Sequence, residues 1–86
     1  MDPWKILKYP HTTEKSVGMM ETENKIVFVV DRKSRKNEIK SAFEQAFGVK
    51  VEKVNTQITM NGKKKAYIKL DPKNKAIDVA VKLGIV

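Results

Sequence analysis

The sequence predicts an α+β domain: a small antiparallel or mixed sheet of three to four strands with helices packed on it. Three observations carry this. Lys25-Ile26-Val27-Phe28-Val29-Val30 is apolar and β-branched at successive positions, as in a central strand packed above and below. Ile39, Ala42, Phe43, Ala46 and Phe47 recur at the spacing of one helical stripe. Two alternating runs meet at Asn61-Gly62, a tight-turn pair.

Trp4-Lys5-Ile6-Leu7-Lys8-Tyr9 is short, ends at Pro10, and reads as either a strand or a single helical turn. His11-Thr12-Thr13-Glu14-Lys15 opens a helix. Thr12 or Thr13 can cap its free N–H groups, and Glu14 suits the positive end of the helix dipole. That helix ends around Thr22-Glu23-Asn24, before the apolar strand at 25–30. Ser34 is the expected cap of the striped helix, and Gly48 its left-handed terminator.

Val49 and Val51 alternate, and Val54, Thr56, Ile58 and Met60 alternate one residue out of phase. A bulge near Glu52-Lys53 reconciles the halves within one strand. Ala66, Ile68 and Leu70 continue on the return strand. Asp71-Pro72 is expected to open a last helix, with Asp71 as cap and Ala76, Ile77, Val79, Ala80 and Leu83 on its buried side, before Gly84 stops it. The order is (strand or short helix)–helix–strand–helix–strand–strand–helix.

A chain of 86 residues is expected to form one domain, spanning 1–86. Its net charge of +8 comes from 18 Lys and Arg against 10 Asp and Glu. Residues 1–30 are neutral, with four lysines and four carboxylates; 31–56 carry seven bases and four acids, and 57–86 seven lysines and two aspartates. The excess favours a polyanion, through phosphate neutralisation and counterion release. The lack of cysteine points to a reducing, cytoplasmic setting. No apolar stretch approaches a membrane span, and Met1-Asp2-Pro3-Trp4 lacks the features of a signal peptide, so an intracellular, soluble protein is expected.

Catalysis has little to work with. There is one histidine and no cysteine, no carboxylate pair at a useful spacing, no Gly-rich phosphate cradle and no metal-ligand cluster. No cofactor is expected. His11 is read as a polar turn residue touching backbone or RNA.

Nucleic-acid signals are stronger. Arg32, Lys33, Arg35 and Lys36 run into the striped helix, with Lys40 one turn on. They form either a solvated face or a phosphate site at a helix N-terminus. Lys63, Lys64 and Lys65 flank the tight turn, either as a charged hairpin tip that resists aggregation or as a phosphate contact. Lys5, Lys8 and Lys15 form a third cluster if the N-terminal segment folds back. Phe28, Phe43 and Phe47 are core residues. Trp4, Tyr9 and Tyr67 either stack on bases or are partly buried. Met19 and Met20 are either core filler or, with Trp4, an apolar dock.

Pro10 with Thr13-Glu14-Lys15, Asn37-Glu38-Ile39-Lys40 with Phe47-Gly48-Val49-Lys50-Val51, Val54-Asn55-Thr56 and Lys64-Lys65-Ala66-Tyr67-Ile68-Lys69-Leu70 together resemble the large-subunit ribosomal protein family L twenty-three. Pro10 with Thr13-Glu14-Lys15 is similar to its Pro-x-x-Ser/Thr-Glu-Lys element. Asn37-Glu38-Ile39-Lys40 with Phe47-Gly48-Val49-Lys50-Val51 resembles its central helix and following turn. Val54-Asn55-Thr56 matches its Val-Asn-Thr, and Lys64-Lys65-Ala66-Tyr67-Ile68-Lys69-Leu70 its basic strand. The resemblance covers nearly the whole chain in order. It implies a monomer within the ribosome, bound to large-subunit rRNA and neighbouring ribosomal proteins at the rim of the polypeptide exit tunnel. There it would help to dock signal recognition particle and the translocation machinery. By position Glu14 matches a docking glutamate, and Asn55 and Thr56 an rRNA-proximal pair. Bacterial relatives carry a longer hairpin loop, and the short one here resembles the archaeal form. Two rivals stand beside this reading: a free-standing RNA- or DNA-binding architectural protein, and a small phosphate-ester or acyl-phosphate hydrolase.

Overall fold

The computed structural model describes residues 2–84. Its elements are a 3-10 turn at Pro3–Lys5, β1 (Leu7–Pro10), α1 (Glu14–Thr22), β2 (Lys25–Val30), α2 (Lys36–Phe47), β3 (Val51–Ile58), β4 (Lys64–Leu70) and α3 (Ala76–Leu83). The four strands form one fully antiparallel sheet in the order β1-β2-β4-β3, so β2 and β4 are central. The segment at 4–9 is both things the sequence allowed, a short helical turn leading into an edge strand.

The core lies on one side of the sheet. Leu7, Ile26, Phe28, Val30, Val51, Val54, Ala66, Ile68 and Leu70 meet Met20 of α1, Ile39, Ala42 and Phe43 of α2, and Ala76, Val79 and Ala80 of α3. Phe28, Phe43 and Phe47 form an aromatic cluster, with the Phe43 and Phe47 ring centres 4.7 Å apart. Trp4 meets Phe47 edge-on at 5.7 Å while staying half exposed. Trp4 and Met19 therefore form no common dock with Met20, which is buried in the core.

The expected caps hold at some termini and fail at others. Thr13 caps α1, its hydroxyl accepting from the Ser16 N–H at 3.2 Å while the Ser16 hydroxyl accepts from the Thr13 N–H at 2.7 Å. Gly48, at φ 63°, ends α2 as expected. Ser34 is not the cap of α2. It is buried one residue too early, and Arg35 holds the cap position with its N–H donating to the Glu38 carboxylate at 2.9 Å. Asp71 does not cap α3 either. Residues 71–74 form a turn closed by the Asn74 N–H on the Asp71 carbonyl, and the helix begins at Ala76.

The cap of α3 comes from Asn24, on the far side of the sequence. Its Oδ1 accepts from the Ala76 N–H at 2.7 Å, and its Nδ2 donates to the Asn74 carbonyl at 2.9 Å. Its own carbonyl accepts from the Leu70 N–H at 3.1 Å. Asn24 adopts φ 55°, a left-handed conformation that asparagine tolerates better than most side chains. One residue thus turns α1 into β2 and fixes the start of α3.

The bulge stands where the phase change placed it: Val51 pairs with Leu70 and Lys53 with Lys69, leaving Glu52 unpaired. Beyond Val54 the expected buried row is not buried. Ile58 and Met60 are exposed because the helical layer does not reach the far end of the β3–β4 hairpin.

These contacts give an ordering for stability. Asn24→Ala should cost about 2–3 kcal/mol, from a lost cap and a strained left-handed alanine. Asn24→Gly should cost about half of that, since glycine accepts the backbone but supplies no cap. Asp71→Ala should cost less than about 1 kcal/mol. Urea titrations of the three variants check the order; equal losses for Asn24→Ala and Asp71→Ala would contradict it.

Candidate nucleic-acid interface

Strand alternation divides the side chains between two sides. With Ile26, Phe28, Val30, Ala66, Ile68 and Leu70 turned to the helices, the neighbouring positions form the other face. Register aligns that face in rows: Tyr9, Val29, Lys65 and Gln57; then Val27, Tyr67 and Asn55; then Lys25, Lys69 and Lys53. α2 and α3 leave this face open. Only α1 overlaps its margin, where Met19 helps line a shallow depression with Val27, Tyr67, Lys65 and His11.

The open face is basic by construction. No carboxylate occupies any of its paired positions. Glu52 is the unpaired bulge residue on the β3 edge, and the other acids sit on helices or in loops. Lys25, Lys69 and Lys53 stand abreast on three adjacent strands, although like charges directly opposite one another destabilise a sheet. Lys25 has relief from Glu23 at 3.3 Å, the one ion pair among the described residues. A row of cations held against its own repulsion is a natural seat for phosphates.

Between the lysines lies apolar ground. Val27 and Val29 are 1% and 5% exposed although no helix is stacked over them; neighbouring long side chains and the α1 margin cover them. The Tyr9 hydroxyl accepts from the Lys63 ammonium at 3.0 Å, and the Tyr67 hydroxyl donates to Gln57 Oε1 at 3.0 Å. The Lys63 nitrogen is 5.7 Å from the Tyr9 ring centre. That is nearly the sum of this hydrogen bond and the distance from a phenol's ring centre to its oxygen. The ammonium therefore lies beyond the hydroxyl, roughly in line with the C–O bond, and leaves the ring face free.

His11 sits beside this surface, its N–H donating to the Val27 carbonyl at 2.9 Å and its own carbonyl accepting from the buried Ser16 hydroxyl at 2.8 Å. Burial, and secondarily the Lys65 ammonium, lower its pKa below the ordinary imidazole value.

The structure regroups the residues singled out from the sequence. Lys63, Lys64 and Lys65 do not act as one patch. Lys65 points to the open face, Lys63 holds Tyr9, and Lys64 turns inward to donate to the Ser34 carbonyl. Arg32 joins Lys63, Lys8 and Tyr9 around a depression at the hairpin end, its Nη1 3.4 Å from where a Cβ would stand on Gly62. Thr13 and Lys15 line the depression beside His11, while Glu14 is exposed at the first turn of α1.

Asn55 and Thr56 face opposite ways: Asn55 pairs with Tyr67 on the open face, and Thr56 with Ala66 on the core side. Lys5 belongs to the 3-10 turn, and Lys33, Arg35, Lys36 and Lys40 are exposed in the α2 approach and along α2, outside the depressions that the sheet face presents. Glu38 and Asn37 side chains already accept N–H groups where α2 begins, which weakens the case for a phosphate there. Lys25, Lys53, Gln57 and Lys69 were missed. Taken singly in the sequence they are scattered polar residues; strand alternation within β2, β3 and β4 is the one signal that groups them.

Comparison with known proteins gives two findings. Residues 5–82 match the family model described as Ribosomal protein L23. The chain is also 52% identical, over 85 residues and 99% of both sequences, to the "Large ribosomal subunit protein uL23" of Methanothermobacter thermautotrophicus.

Two outcomes follow from this electrostatic arrangement. Lys69→Gln should stabilise the free protein by about 0.2–1 kcal/mol in denaturant titrations at low salt, by removing the middle cation of its row. For His11, the unfolded chain takes up a proton more readily than the folded one. Stability should therefore fall as pH drops below 6.5, until the folded imidazole also titrates. His11→Gln should remove that loss, and an imidazole midpoint at or above the ordinary value in an NMR titration would contradict it.

Proposed function

This chain belongs to the ribosomal protein L23 family, and on that premise we propose that its open sheet face binds the rRNA of the large subunit while its helical side meets proteins. As a large-subunit ribosomal protein it is structural rather than enzymatic, and its place is the cytoplasmic ribosome. The whole chain serves as a single rRNA-binding domain, monomeric within that assembly.

The observation that carries this reading is the row of Lys25, Lys69 and Lys53 on a face without a carboxylate at any paired position. Phosphate neutralisation by such a row releases counterions and supplies most of the affinity without reading sequence. Lysine suits that task, being a compact charge on a flexible stem. Arg32, Lys8 and Lys63 extend the field at the hairpin end, and Lys15 and His11 at the α1 margin.

The exit-tunnel role follows from the family resemblance. Glu14, exposed at the head of α1, is the residue to which signal recognition particle or the translocation machinery would dock. The compact β3–β4 connection at 59–63, closed by the Thr59 N–H on the Lys63 carbonyl, is short for a tunnel-lining extension.

For about five phosphate contacts, log affinity for large-subunit rRNA should fall against log salt with a slope of about −3.5 to −4.5. The double change Lys53→Gln and Lys69→Gln should flatten the slope by about 1.4 to 1.8, and the pair Lys36→Gln and Lys40→Gln should leave it in place. Sedimentation of a native extract tests the assignment as a whole. Co-migration with the large subunit through a high-salt wash is expected; release into light fractions at low salt would favour a free-standing nucleic-acid-binding protein instead.

A further inference from the structure

Phosphate binding alone does not account for what lies between the lysines. A surface built only to meet the rails of a duplex needs cations and hydrogen-bond donors. This one also places two tyrosines and a pair of valines in its middle, with amide side chains alongside. Taking the RNA-binding reading as its base, we propose that the open face holds unpaired nucleotides, with one base stacked on Tyr9 and a second on Tyr67.

The rings are set for it. Each is fixed at both ends: Tyr9 springs from β1 and reaches Lys63 at the β3–β4 connection, and Tyr67 springs from β4 and reaches Gln57 on β3. Their long axes therefore lie across the sheet, and ordering them on binding costs little further entropy. Tyr9 is 44% exposed, and the line of its contact with Lys63 leaves its ring face uncovered. Val27 and Val29 lie between the two rings in register, buried beneath the long side chains that flank them, so the aromatic rings are the apolar surface this stretch of the face leaves to a base. Asn55, beside Tyr67 on the same face, offers both a donor and acceptors to a base edge.

Spacing separates unpaired from paired RNA. Tyr9 pairs with Val29, and Tyr67 with Val27 on the opposite side of β2. The two residues are thus two strand spacings apart and offset by two residues along the sheet, about 12 Å between Cα atoms. Successive bases in a stacked strand are only about 3.4 Å apart, and within a duplex their faces are covered by their neighbours. Two platforms at this distance fit bases splayed out of a helix, in a loop, bulge or junction, with the backbone between them running over Lys65 and toward Lys69.

The test uses the intact protein, with a fluorescent oligouridylate and a fully paired RNA hairpin as probes at matched salt. The single strand should bind more tightly than the hairpin. Tyr9→Leu and Tyr67→Leu should each weaken it by about 5- to 100-fold without changing the salt slope, while Tyr9→Phe and Tyr67→Phe, which keep the ring and lose only its hydroxyl anchor, weaken it clearly less. Circular dichroism checks that the leucine variants fold. Independently of any variant, oligouridylate should shift the ring protons of Tyr9 and Tyr67 upfield in NMR spectra of the unaltered protein. Equal binding of both probes, or ring protons that do not move, overturns the stacking proposal. If Lys69→Gln still weakens binding in that case, phosphate contact stands without stacking. If neither RNA binds at all, the RNA reading of the face falls with it.

Discussion

The helices cover one side of the four-stranded sheet, and α1 alone reaches the margin of the other. The other organisation of the molecule follows from that. β2 and β4 are central and bury apolar side chains toward the helices, so their alternate residues turn to the opposite face. In β4 this gives Ala66, Ile68 and Leu70 inward and Lys65, Tyr67 and Lys69 outward. The basic face is therefore continuous with the core: the same backbone periodicity that packs one side presents lysines on the other.

That face would be a liability without a partner. Long stretches of edge and open sheet invite association, and charge is a common protection. Here the charge exceeds protection, because three lysines are set side by side and, among the described residues, only Lys25 has an acid, Glu23, within ion-pair reach. The free domain tolerates repulsion that an anion removes. On the proposed reading, anion binding and stability are coupled through the same residues.

The second support of the site is a set of long-range clips. Asn24 joins the start of α3 to the start of β2, and Lys64 joins β4 to the Ser34 carbonyl before α2. Both connect segments distant in sequence, and both act at opposite ends of the sheet's central pair. The loop that follows β2 is thereby held against the β3–β4 hairpin, which brings Arg32 to the same end of the face as Lys63 and Lys8.

Much of this was legible in the residues alone. The stripe from Ile39 to Phe47, its glycine stop and the phase change at Glu52 are local patterns, and local patterns fix helices, turns and bulges. The family was legible too, through ordered short motifs. What the sequence could not give was direction. Three consecutive lysines at 63–65 look like one patch, yet the pleat and the end of the strand send them three ways. Lys25, Lys53 and Lys69 are far apart in the chain and become neighbours only through register. Asp71-Pro72 looks like a helix start, yet α3 takes its cap from Asn24, because a hydrogen bond from a packed neighbour can outcompete a nearby residue whose carboxylate is engaged in its own turn. Sequence determined the elements and the excess of positive charge. Only the tertiary structure decided which charges share a face, because cross-strand pairing depends on contacts between residues dozens of positions apart.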